Sequence, residues 1–183
     1  MGTEQNIVGR SSMKKKYKLF ILIMLLGIIG AVAYFISLPR GNTLESREVL
    51  LDNAIRGESK WTIVKEVKVD DYIISCGYSE NDKSTIAVFA PTSNGKYKCL
   101  TTTRRHNKEI IVTGVNINNN WYDLIWFNGA QTEYAEVTYT VNNEKEKPLK
   151  YDTSEMDLIC IKNNKNSYQL EVYYYDSEGN RYE

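Results

Sequence analysis

A mainly β protein carried behind one membrane-length N-terminal helix is the fold class the sequence predicts, and three observations predict it. Leu19 to Leu38 is a run of 20 residues without a charged side chain, enough for a helix to cross the roughly 30 Å of a bilayer's hydrocarbon core at 1.5 Å per residue. From Trp61 onward, apolar residues recur with a period of two, the pleat of a strand. Clusters of Asn, Asp, Ser and Gly punctuate that pattern at short intervals. The expected order is a transmembrane helix, one short helix with an antiparallel meander, and then an immunoglobulin-like β-sandwich.

The first element is defined by its flanks. Arg10, Lys14, Lys15, Lys16 and Lys18 precede the apolar run, whereas Pro39-Arg40-Gly41-Asn42 follows it. This excess of positive charge before the span places the N-terminus inside, so everything after about residue 40 is expected outside the cytoplasm. Residues 1–18 then form a short basic tail and 19–38 the anchor. Ala31-Val32-Ala33 also matches a small-residue cleavage signal, and cleavage near Ala33 with secretion is the alternative. The apolar run continues through Tyr34-Phe35-Ile36-Ser37-Leu38, which favours a retained span of the cell membrane. Met13, directly before Lys14, is an alternative start to Met1.

Beyond the anchor, Val49, Leu50, Leu51, Ala54 and Ile55 recur at helical spacing and end at Gly57, which predicts a helix over about 44–56. Trp61, Ile63, Val67 and Val69 alternate with polar residues, as do Tyr72, Ile74, Cys76 and Tyr78, with Asp70-Asp71 as the turn between. TIAVFA (85–90) and KYKCLTT (96–102) flank an Asn94-Gly95 hairpin signal. A helix plus a four-stranded meander is therefore expected over 39–107. The polar run Arg104-Arg105-His106-Asn107-Lys108 interrupts the pattern. Strands are then expected in 109–117, 121–127, 132–141, 157–162 and 167–175, a sandwich-like domain over 108–183, with one continuous β-domain as the alternative. In the 132–141 strand, Ala135, Val137, Tyr139 and Val141 face one way, and Glu133 and the threonines leave the other face wet.

Composition narrows the function. After the five basic residues and one acidic residue of 1–38 are set aside, 18 basic and 22 acidic residues remain, a mildly acidic body with no footprint for nucleic acid. Cys76, Cys99 and Cys160 each sit in an apolar strand-like run and read as small buried hydrophobes. In a simple meander the strands of Cys76 and Cys99 lie about 10 Å apart, beyond the roughly 7 Å a disulfide tolerates. No metalloprotease, P-loop, dinucleotide or nucleophile-elbow motif occurs. His106 is the only histidine, seven residues after Cys99, and reads as a loop residue rather than half of a catalytic pair. The acidic stretches 79–83 and 176–180 lack the alternating ligand set of a calcium loop and read as turns. Catalytic, metal and cofactor sites are therefore all expected to be none.

The aromatic run 121–127 places Trp121, Asp123, Ile125 and Phe127 on one strand face and Tyr122, Leu124 and Trp126 on the other. Core on both sides is the plain reading. A docking or sugar-stacking surface built from Trp121, Tyr122 and Trp126, with Tyr173 and Tyr175 from the last long strand, is the functional one. This layout of basic tail, single span, short helix and Asn-, Lys- and Tyr-rich strands resembles the small, mostly uncharacterised membrane-anchored extracytoplasmic proteins of Gram-positive bacteria. It departs from their lipoprotein members in having no cysteine near the span, and the resemblance carries over no functional residue. The expected function is a non-enzymatic binding or interaction module, held by membrane lipid through its anchor and directed at an envelope protein or glycan. The alternative is a cell-envelope hydrolase or inhibitor working through an acidic cleft.

Overall fold

The computed structural model of the chain describes residues 5–37, 40–57, 60–106, 110–127, 132–154 and 158–182. Asn107 and Lys108 of the polar run, Leu38 at the end of the span and Pro39 after it lie outside them. The chain divides into two compact units, Met1–Pro39 and Arg40–Glu183.

The first unit is a single helix, α1 (Gln5–Ser37), 33 residues long. Every side chain from Tyr17 to Tyr34 is exposed, and the segment is long and apolar enough to cross a membrane. From Leu19 onward that exposed surface is apolar, the character a lipid-facing helix presents.

The second unit opens with α2 (Leu44–Ala54), two residues shorter than its apolar spacing predicts. Thr43 caps it: its hydroxyl accepts from the Ser46 amide, and Ser46 Oγ accepts from the Thr43 amide, so two orphan donors of the first turn are satisfied together. Leu51 and Ile55 are buried, while Val49 points to solvent. Gly57, at φ 82°, turns the chain away after the last turn.

The first sheet is the expected meander of β1 (Trp61–Val69), β2 (Tyr72–Ser79), β3 (Lys83–Pro91) and β4 (Tyr97–His106), in sequence order and antiparallel throughout. Asn94-Gly95 forms the β3–β4 turn, with Gly95 at φ 66°. One detail corrects the sequence reading. A bulge between Ile63 and Lys65 resets the alternation, so Trp61 and Ile63 pack under α2 with Ala87 and Phe89, whereas Val67 and Val69 pack on the opposite face with Ile74, Cys76, Ile86 and Val88. The extra residue of a bulge exchanges the two faces of everything beyond it. Glu66 thereby turns to the α2 side, where Arg47 Nε and Nη2 reach its two carboxylate oxygens at 2.7 and 2.5 Å and Ser75 Oγ donates to it at 2.6 Å.

The second sheet, ordered β10-β6-β5, holds β5 (Ile110–Ile117), β6 (Asn120–Phe127) and β10 (Ile159–Asn163). The third, ordered β12-β11-β7-β8, holds β7 (Tyr134–Val141), β8 (Glu144–Lys145), β11 (Gln169–Tyr175) and β12 (Arg181–Tyr182), with β9 (Leu149–Asp152) also paired to β7. Ladders are antiparallel in both. Two cores flank the second sheet. Ile111, Val115, Ile117, Leu124 and Trp126 meet the first sheet, while Ile125, Phe127 and Ile159 meet Ala135, Val137, Tyr139 and Tyr174 of the third. The chain is thus mainly β, with antiparallel sheets and one apolar N-terminal helix.

All three cysteines are free thiols. Cys76 packs on the second-sheet side of the meander and Cys99 on the α2 side. The outer face of β7 is drier than its threonines suggest, because Thr138 is 97 % shielded.

Candidate functional site

The five aromatic residues singled out above are placed in three different environments. Trp126 is fully enclosed in the core between the first and second sheets, and Tyr122 is half-buried against that core. Trp126 is therefore corrected from surface to core, for the reason its strand supplies: β6 is central in its sheet and is covered on both faces. Tyr173 and Tyr175 stand on the outer face of the third sheet, already occupied by neighbours. The Arg181 guanidinium lies 3.6 Å above the Tyr173 ring, and Tyr175 stacks on Tyr134 at 4.7 Å, with Lys150 Nζ 3.3 Å from the Tyr134 ring centre. Trp121 alone among the five combines wide exposure, 42 %, with a fixed position.

Its position is fixed by three contacts. The indole lies across Gly114 of β5 so closely that a Cβ there would stand 2.1 Å from Trp121 Cζ2. Glycine in a strand interior marks such a close approach. The indole Nε1 donates to Tyr168 Oη at 2.9 Å and to Asp123 Oδ1 at 3.2 Å. An exposed tryptophan usually trades rotamer freedom for binding, and here that freedom is already spent.

Asp123 is the hub behind it. Buried at 3 % exposure, it accepts from Tyr139 Oη at 2.8 Å and Asn163 Nδ2 at 2.7 Å on Oδ2, and from Tyr168 Oη and Trp121 Nε1 on Oδ1. A carboxylate offers about four lone-pair sites, and all are taken, so the group is a structural acceptor without capacity left for a base or nucleophile. Burial, and then the hydrogen bond to Asp123, raise the Tyr139 phenol far above its ordinary range and shift Tyr168 the same way. Both hydroxyls remain protonated donors.

Tyr168 also lines an open cleft of about 190 Å³ with Thr140, Asn142, Asn143, Ser167 and Gln169. Asn142 and Asn143 hold φ of 51° and 66° in the β7–β8 turn, a conformation asparagine tolerates. The cleft is lined by amides and hydroxyls. An exposed aromatic face and a cleft of neutral hydrogen-bonding groups thus share one residue, Tyr168.

Sequence reasoning found Trp121 but missed Gly114, Asn163 and Tyr168. The glycine inside IIVTGVNI was the one available signal.

The other candidates stand apart. His106 is exposed at the end of β4, while Cys99 lies seven residues back on the same strand, about 23 Å away at 3.3 Å per residue. In the 176–180 turn, Asp176 Oδ1 accepts from the amides of Glu178 and Asn180. The Asn180 side-chain amide, donating to Asp176 Oδ2 at 3.0 Å, and then those backbone bonds hold its carboxyl below the usual carboxylate range, so its oxygens serve the turn. No metal-type cluster of three or more His, Cys, Asp or Glu occurs among the described residues. No protein-family model matches the chain, and no curated protein or solved structure is significantly similar to it.

Proposed function

We propose that the chain is a non-enzymatic binding module, held at the outer face of a cell membrane by α1 and docking an envelope glycan at Trp121 and the adjoining Tyr168 cleft. The observation that carries the reading is the indole of Trp121, exposed yet immobilised by Gly114, Asp123 and Tyr168. Stacking of a sugar's C–H face on a rigid ring, with its hydroxyls turned to amides, is the recognition these parts suit.

The architecture we infer for residues 110–182 is an immunoglobulin-like sandwich. Strand order supports it. In chain order, β5, β6 and β10 take the places of strands A, B and E in one sheet, and β7, β11 and β12 those of C, F and G in the other, with β8 and β9 on the free side of β7. The orientation, N-terminus inside and Arg40–Glu183 outside, rests on the Lys and Arg residues that precede the span.

The test is a titration of the full chain in lipid nanodiscs with soluble glycan fragments from the envelope, read by tryptophan fluorescence and calorimetry. Saturable binding that Trp121→Ala weakens about a hundredfold, the upper end for a central aromatic anchor, supports the proposal. Binding that Trp121→Ala leaves unchanged, or no glycan binding at all, overturns it. Protease added to intact protoplasts should remove Arg40–Glu183 and spare the tail.

A further inference from the structure

Carboxamides dominate the cleft of about 190 Å³ beside Trp121, where Asn142, Asn143 and Gln169 join the hydroxyls of Thr140, Ser167 and Tyr168. The β7–β11 register sets Gln169 opposite Thr140, and the turn that follows β7 brings both asparagines alongside. Tyr168 Oη is committed to Asp123 and Trp121. The other five side chains form no hydrogen bond with one another or with any other described residue, so the two donors and one acceptor of each carboxamide are open to a ligand. None of the six carries a charge. Two lysines near the cleft are already paired: Lys145, opposite Thr140, with Glu171 at 2.7 Å, and Lys165 with Glu146 at 2.6 Å. Behind Tyr168, Asp123 is held by four neutral donors, and its negative charge disfavours an anionic polymer. The cleft is also smaller than the roughly 300 Å³ at which small-molecule sites begin, so it admits a substituent or a single ring.

We infer, resting on the glycan reading above, that the ligand is an uncharged glycan bearing acetamido groups, with one sugar ring stacked on Trp121 and an acetamido group entering the Tyr168 cleft. An acetamido group carries one N–H donor and one carbonyl acceptor, pointing in opposite directions. Neighbouring carboxamides on two strands answer both, an oxygen for the N–H and an N–H for the carbonyl. A hydroxyl at the same carbon stops at the ring and does not extend into the cleft, which leaves the carboxamides to water. Trp121 supplies stacking common to many sugars, and the cleft supplies the selection among them.

The full chain in phosphatidylcholine nanodiscs is titrated with the linear β-linked trimer of N-acetylglucosamine and with cellotriose, which has the same backbone and a hydroxyl in place of each acetamido group. Tryptophan fluorescence and calorimetry read both. The acetamido trimer is expected to bind saturably and about tenfold more tightly, the effect of one well-made hydrogen bond. Asn143→Gly/Gln169→Ala should bring it down to the cellotriose value and leave cellotriose unchanged, since glycine keeps the positive φ of Asn143. Gln169→Ala alone, at an exposed strand position, serves if the double variant does not fold. Trp121→Ala should weaken both trimers. Equal affinity of the two trimers, both weakened by Trp121→Ala, overturns this inference and leaves the glycan reading standing, as does binding of envelope fragments without binding of either trimer. Selectivity that survives the double variant, or tighter binding of a β-linked glucuronate trimer than of the acetamido one, also overturns it. No saturable binding of any trimer or of envelope fragments overturns both.

Discussion

The Tyr139 hydroxyl donates to Asp123 Oδ2 at 2.8 Å, from the third sheet to the second across their shared core. Asn163, from β10, donates to the same oxygen, and Tyr168 and Trp121 saturate the other. One carboxylate therefore joins both sheets and the residue proposed to meet a ligand. An apolar interface between sheets tolerates sliding, whereas a buried acceptor with four donors is satisfied in one arrangement only.

Tyr139→Phe should cost about 1–3 kcal/mol at neutral pH, because it leaves a buried acceptor one donor short. The alkaline limb adds a second readout. The folded phenol is held well above its ordinary value by burial first and by Asp123 second, so its contribution is intact below about pH 10 and falls as pH rises beyond that. Urea unfolding of the wild type should weaken above that pH, and Tyr139→Phe should weaken less steeply. Equal slopes would show that Tyr139 is not the titrating group.

The alternation of Tyr72, Ile74 and Cys76, and of Ile86 and Val88, was legible because each short apolar repeat maps directly onto one face of a strand. So were the turns at Asp70 and Gly95, which demand φ > 0. The bulge at Val64 was not, since Trp61, Ile63, Val67 and Val69 are apolar on both sides of it and their spacing conceals the exchange of faces. β8, β9 and β12 escaped because they are two to four residues long and mostly exposed. The Asp123 hub depends on residues 16 to 45 positions away, brought together by packing of sheets, which local periodicity does not encode.

Arg47 and Glu66 form the second polar pin. Arg47 is 8 % exposed, forks onto both oxygens of Glu66 and donates through Nη1 to the Gly41 carbonyl at 2.8 Å, tying α2 and the entry of the body to β1. Arg47→Met should cost about 3 kcal/mol in urea unfolding, since it strands a partly buried carboxylate. Arg47→Met/Glu66→Leu should recover at least half of that, apolar groups replacing both partners. A double variant no more stable than the single one would assign the loss to the Gly41 contact instead.

Gly114→Ala places a methyl where the Trp121 indole lies, 2.1 Å from Cζ2. Backbone on one side and two hydrogen bonds on the other leave the ring no small adjustment. The substitution should cost about 1–3 kcal/mol, as overpacking does, with the tryptophan emission changed and the glycan affinity lost. In a Trp121→Ala background the same methyl should cost far less. That difference, read as a double-mutant cycle, separates a clash with the indole from a general intolerance of alanine in β5; additive costs would dissolve the proposed platform.

The thiols give a prediction independent of both polar pins. Burial pushes Cys99 up to about 11 and Cys160 up to about 12, and raises Cys76 in the same direction. Since the thiolate is the reactive form, a pKa near 11 leaves about one thiol in a thousand ionised at pH 8, against about one in four for a free cysteine. Iodoacetamide should therefore label native Cys99 a few hundredfold, and native Cys160 a few thousandfold, more slowly than the urea-unfolded chain, to order of magnitude, with rates rising about tenfold per pH unit up to pH 10. Raised thiol pKa values also set the sign of the stability change. Their contribution is intact below about pH 8.5 and declines as pH climbs toward the folded values, because the unfolded thiols ionise first. Site-resolved mass spectrometry of the labelled chain checks each cysteine separately. Rapid labelling of native Cys76 at pH 8 would mean that the core between the first and second sheets opens far more readily than its packing implies.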